Sequence, residues 1–171
     1  QGPDPVLEGH CLSTLLRRPS LLTQVDGSLK RNGLPPIEPR DFEQVSLRAI
    51  FEEWETLLAT RPSVSPQALR AELPLSLQDR LELVLGGTGG SLPADDGLEL
   101  ADEQLVRDVV VTLLRLRQRR LKQLVQDLRM LMIEAHEKGD ARAKQYDQAH
   151  LAHTQMLLKT QRALARSREL G

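Results

Sequence analysis

Aromatic residues are nearly missing from this 171-residue chain: two Phe, one Trp and one Tyr make up 2% of it. Leu, Val and Ala must therefore fill any interior. That suits helix packing better than sheets, whose strands favour aromatic and β-branched alternation. Cysteine is limited to Cys11, which excludes an internal disulfide and a thiolate zinc site. Cys11 lies on an apolar helix face and reads as an inert core thiol. No stretch approaches the roughly 18 apolar residues of a membrane-spanning helix, and no secretory leader is read. A cytoplasmic protein without membrane contact is expected. The Gly-rich run Gly86-Gly87-Thr88-Gly89-Gly90 lacks the preceding strand and the Gly-Lys-Ser/Thr of a phosphate loop. No nucleophile–base pair or paired carboxylates stand out. No catalytic residue, cofactor or metal is expected.

What is present is charge asymmetry and helical periodicity. Residues 1–100 hold nine Lys/Arg against fifteen Asp/Glu, while residues 101–171 hold fourteen against nine. The halves are electrostatically different, which suggests two units. Asp4-Pro5 opens a first helix with the apolar face Leu7, Cys11, Leu12, Leu15 and Leu16, and Arg18-Pro19 ends it. Leu21, Leu22, Val25 and Leu29 continue at helical spacing to Gly33. A stiff Pro-rich connector follows. Asp41 with Gln44 resembles a capping box, opening a helix with Phe42, Val45, Ala49, Ile50, Trp54, Leu57 and Leu58 on one stripe. Ser65-Pro66 and Ser76 cap two shorter helices.

Residues 4–86 thus read as a helical bundle subdomain, 87–97 as a Gly-rich linker and 98–171 as a C-terminal helical hairpin. The hairpin turns at Glu137-Lys138-Gly139-Asp140, where Gly suits the left-handed position past a helix end and Asp caps the next helix. Leu121, Leu124, Leu128, Leu131 and Ala135 form a heptad seam on the outgoing helix. Ala143, Tyr146, His150, His153, Leu157, Thr160 and Leu164 form a more polar one on the return. Upstream, Leu105, Val109, Val110, Leu113, Leu114 and Leu116 make a broader face suited to packing on the bundle. The fold class is all-α: a helical bundle followed by a long C-terminal antiparallel helical hairpin.

Arg115, Arg117, Arg119, Arg120 and Lys122 put five cations in eight residues. On a helix they wrap around the circumference rather than forming one stripe, and no aromatic lies between positions 55 and 145 to stack a base. They read as a solvated face that also meets the acidic bundle or an acidic partner; direct nucleic-acid binding is not expected. A helix break is expected within 115–120, where the seam is least regular. His136, His150 and His153 do not have the His-Glu-x-x-His spacing of a zinc site, and read as seam or partner-contact residues.

Leu113-Leu114-Arg115-Leu116-Arg117-Gln118-Arg119-Arg120-Leu121-Lys122-Gln123-Leu124, followed by Ile133-Glu134-Ala135-His136-Glu137-Lys138-Gly139-Asp140, resembles the terminal hairpin of bacterial DNA primases. Leu12-Ser13-Thr14-Leu15-Leu16-Arg17-Arg18-Pro19-Ser20-Leu21-Leu22 is similar to the opening of the same domain. Asp41-Phe42 and Leu47-Arg48-Ala49-Ile50-Phe51 are similar to its next helix. The resemblance covers most of the chain and implies a non-enzymatic helicase-binding domain that docks on the N-terminal collar of the hexameric replicative helicase. It also implies that the DNA-directed RNA polymerase activity of such a primase lies in other domains. Two alternatives stay open: the N-terminal domain of the replicative helicase itself, which usually shows Gly-Gly-x-x-Tyr-Leu before its hairpin, and a self-associating coiled-coil adaptor. The expected docking residues are Met156, Leu157, Lys159, Arg162, Arg166 and Arg168, with Leu164 and Leu170 as apolar anchors.

Overall fold

The computed structural model describes residues 5–86 and 98–169, and every regular element among them is helical. The expected Gly-rich linker, 87–97, lies outside the described residues. Helix α1 spans Pro5–Arg17, α2 Leu21–Arg31, α3 Val45–Thr60, α4 Pro66–Glu72, α5 Leu75–Gly86, α6 Leu98–Lys138 and α7 Ala143–Glu169, with a 3-10 turn at Pro39–Asp41. Helices α1, α3, α4 and α5 pack together, and α6 lies against α1 and α2 before pairing with α7.

The local signals explain most boundaries. Pro19 cannot donate a backbone hydrogen bond, and it constrains Arg18; α1 stops at Arg17. Helix α2 ends in a Schellman turn. Gly33 takes φ +71°, its N–H reaches the Lys30 carbonyl, and the Leu34 N–H reaches that of Leu29. The flanking Leu29 and Leu34 are both buried. Ser65 caps α4 by accepting the Ala68 N–H at 3.1 Å. Ser76 is not a cap: α5 starts at Leu75, one residue before it.

The start of α3 differs from the expected capping box. Gln44 precedes the helix and makes no side-chain cap. Asp41 instead accepts the Glu38 N–H at 2.8 Å, closing the 3-10 turn from the opposite direction. The N–H of Glu43 goes to the carboxylate of Glu8 on α1, which also accepts the Gln44 amide at 2.8 Å. Glu8 is fully buried, so a residue 35 positions upstream satisfies backbone that local sequence leaves unpaired.

One apolar core joins bundle and hairpin. Leu12, Leu15, Leu47, Ile50 and Trp54 meet Val109, Val110, Leu113, Leu114, Ala163 and Leu164 in a single buried cluster. Phe42, Phe51 and Trp54 stack in series, with ring centroids 5.2 and 5.8 Å apart and tilted planes. Cys11 lies within this core. Burial, reinforced by the Asp41 and Glu8 carboxylates, pushes its thiol up to about 12, so it stays protonated and unreactive at neutral pH.

Helix α6 is continuous over 41 residues, a rod about 60 Å long; the expected break within 115–120 is absent. The reason is lateral support, since Leu113, Leu114, Leu116 and Arg117 are all buried there. The hairpin turn is a second Schellman motif. Gly139 has φ +64°, its N–H reaches His136, and the Asp140 N–H reaches Ala135 at 2.8 Å. A Cβ on Gly139 would meet nothing within 4 Å, so Gly139→Ala costs only the left-handed backbone. The expected loss is about 1–2 kcal/mol. Chemical denaturation should show it, with Gly139→Asn losing less, because Asn tolerates this region.

Candidate docking surface

The hairpin divides into a clasped base and a projecting arm. At the base, Arg117 is buried against the bundle. Its guanidinium donates to both oxygens of Asp41, at 2.8 and 2.9 Å, and to the Pro35 and Pro36 carbonyls at 2.8 and 2.6 Å. The pair is almost dry, with 3% and 1% side-chain exposure. Arg120, one turn on, donates to the Arg40 carbonyl at 2.7 Å. A second tie joins Arg18, just past α1, to Asp102 on α6. The cluster at 115–122 therefore meets the acidic bundle on one side and solvent on the other. Arg117 is an internal fastening and Arg120 is engaged, while Arg115 and Lys122 are exposed.

Beyond Leu121 the arm has little interior. From residue 122 to 159, Ala135 alone is buried. The seam is carried by half-buried Leu124, Val125, Leu128 and Met132 facing Tyr146, His150, His153 and Leu157. Leu131, expected in the seam, is 42% exposed. A straight helix with 3.6 residues per turn drifts off a strict heptad, and Met132 rotates inward in its place. Five large apolar side chains stand exposed on the arm: Met130, Leu131, Ile133, Leu151 and Leu158. At the tip, His136 meets Asp147 at 3.0 Å, and Arg142 bonds to Asp140, holding that carboxyl below its ordinary range. Among the described residues, no His, Cys, Asp or Glu group is placed to hold a metal, and no helix is long and apolar enough to cross a membrane.

The structure redistributes the expected docking residues. Because α7 runs back toward the bundle, its last third lies at the base of the hairpin and not on the arm. Leu164 is 4% exposed and belongs to the core. Met156 packs partly on the same core. Arg166 is exposed, and donates to the side-chain oxygen of Asn32, the residue that follows α2, at 2.8 Å. Leu157 is half-buried in the seam, while Lys159, Arg162 and Arg168 face solvent. Leu170 lies outside the described residues. The five arm residues were missed because a period-3.6 reading assigns every Leu and Met to some face, without saying which face has a neighbour. Compared with protein-family models, curated proteins and solved structures, the chain matches none of them.

Proposed function

We propose that this chain is a non-catalytic docking domain that uses its projecting hairpin to recruit a protein partner. The observation that carries this reading is the arm. Of residues 122–159 only Ala135 is buried, yet the arm presents five exposed large apolar side chains. A long antiparallel pair with so thin a seam contributes little to its own stability.

The partner this reading names is the hexameric replicative helicase, contacted at its N-terminal domain as the helicase-binding domain of a bacterial primase does. Support for that finer step is the resemblance carried by residues 12–22, 41–51, 113–124 and 133–140. In this role the domain places primer synthesis beside the opening fork, and polymerase chemistry belongs to other domains of the parent protein. The alternative of a basic nucleic-acid stripe has less support, because Arg117 is buried and Arg120 is engaged by the bundle.

The test is a titration of the purified chain against the cognate helicase hexamer. Truncation at Gly139 is a poor probe, since it removes Thr160, Ala163 and Leu164 from the buried set and unfolds the base. Paired substitutions on the arm avoid this problem. Met130→Asp with Ile133→Asp is expected to weaken binding about thirtyfold or more, as loss of an interface hot spot does, without lowering the melting temperature. Absence of binding by the unaltered chain removes the helicase as partner. A mass that doubles with concentration assigns the arm to self-association instead.

A further inference from the structure

Away from the arm, at the base of the hairpin, helices α2, α6 and α7 enclose an open cleft of about 680 Å³. Each helix contributes one arginine to its walls: Arg31 from α2, Arg107 from α6 and Arg166 from α7. All three are exposed, and Glu103 is the one acidic side chain lining the cleft among the described residues. Arg31 and Arg107 have no ion-pair partner among the described residues. Arg166 is steadied by donating to the side-chain oxygen Oδ1 of Asn32 at 2.8 Å, and Asn32 is itself fixed by its side-chain Nδ2 donating to the Ser28 carbonyl at 2.9 Å. A neutral partner orients this guanidinium without cancelling its charge.

The wall of α2 carries a second feature. Gly27 sits within that helix, where glycine costs about 1 kcal/mol relative to alanine. Its backbone does not require glycine, and a Cβ there would meet only the Arg31 guanidinium, at an ordinary 3.7 Å. Packing within the chain gives no reason for the missing side chain; the space it leaves lies in the cleft, under Arg31.

We propose that this cleft binds a compact phosphate-bearing anion, of the pyrophosphate or triphosphate class. Guanidinium groups bind phosphate oxygens in a bidentate fork, and are chosen over lysine where that geometry matters. Three of them brought by three helices to one concavity suit a small anion offering oxygens in several directions. Carboxylates strung along an acidic peptide would call for cations along one helix ridge. No aromatic lines the cleft, so recognition falls on the phosphate chain and not on a stacked base. The site is separate from the arm and does not depend on which partner the arm recruits.

Calorimetric titration of the full chain at low salt with inorganic pyrophosphate and triphosphate tests this. Saturable binding is expected, weakened about tenfold or more by Arg31→Ala and by Arg107→Ala, and unchanged by Arg129→Ala on the arm. Gly27→Leu places a side chain in the cleft beneath Arg31 and is a better helix former, so it should weaken binding about tenfold or more without lowering the melting temperature. A nucleoside triphosphate matching bare triphosphate assigns the site to the phosphate chain, and a tighter one assigns it to a nucleotide; both uphold the proposal. No binding of either phosphate overturns it. So does binding indifferent to both arginines, or a preference for an oligoglutamate peptide or for single-stranded DNA.

Discussion

Arg117→Ala should destabilise the domain by about 3–5 kcal/mol, the range for breaking a buried ion pair from one side. The substitution leaves Asp41 charged at 1% side-chain exposure, with the Glu38 N–H and a 3.4 Å contact from Arg120 as its remaining donors. It also takes the donor from the Pro35 and Pro36 carbonyls. Asp41→Ala strands the opposite charge, although those two carbonyls still receive the guanidinium, so its cost should be smaller. Replacing both residues with apolar ones of similar volume should recover much of the loss, since the pair's mutual attraction mainly offsets its own desolvation. Urea denaturation of the two alanine variants and of the Arg117→Ala/Asp41→Ala double variant measures the coupling energy of the pair. Additive losses, with no coupling, would show that the pair is not the fastening between bundle and hairpin.

That fastening was the least legible part of the chain. Arg117 is one of five cations in eight residues, and nothing local distinguishes the one that turns inward. Its partner Asp41 lies 76 positions away and carries a plausible local role as a helix cap. Periodicity reports a face, and a face alternating Leu with Arg is ambiguous until something packs on it. The same limit explains Leu131 and Leu164. Both are leucines at heptad spacing, yet one is exposed on the arm and the other is core. Glu8 was equally hidden, because the N–H it satisfies belongs to another helix.

The signals that did read through act within a few residues. Gly139 and Gly33 adopt the left-handed conformation that ends a helix, Ser65 caps α4, and Pro19 closes α1. The α3 stripe reads through in part: Ile50, Trp54 and Leu57 are buried as its helical period implies, whereas Val45, at the helix start, is 75% exposed and Leu47 and Phe51 take core positions beside the stripe. The all-α class follows from the same evidence. A candidate site is different in kind. The arm is defined by what does not cover it, and the cleft by three arginines drawn from positions 31, 107 and 166, so neither has a local signature.

Trp54→Ala should cost about 3–5 kcal/mol, as large-to-small substitutions of buried aromatics do. Trp54 is fully buried at the end of the Phe42–Phe51–Trp54 series, inside the cluster that also holds Leu113 and Leu114. Removing the indole opens a cavity at the junction of bundle and hairpin, where α3 and α6 contribute to the same core. For a chain of this length the melting temperature should fall on the order of 10 °C. Trp54→Phe separates volume from polarity. The indole N–H is buried without a hydrogen-bond partner, so phenylalanine forfeits no hydrogen bond and removes an unsatisfied donor that itself opposes folding. Its net cost should be well under half that of alanine, coming from lost volume alone. A phenylalanine variant as unstable as the alanine one would mean that the indole N–H is satisfied in solution, by water or by a shifted neighbour. The junction of bundle and hairpin would then be wetter than its packing implies.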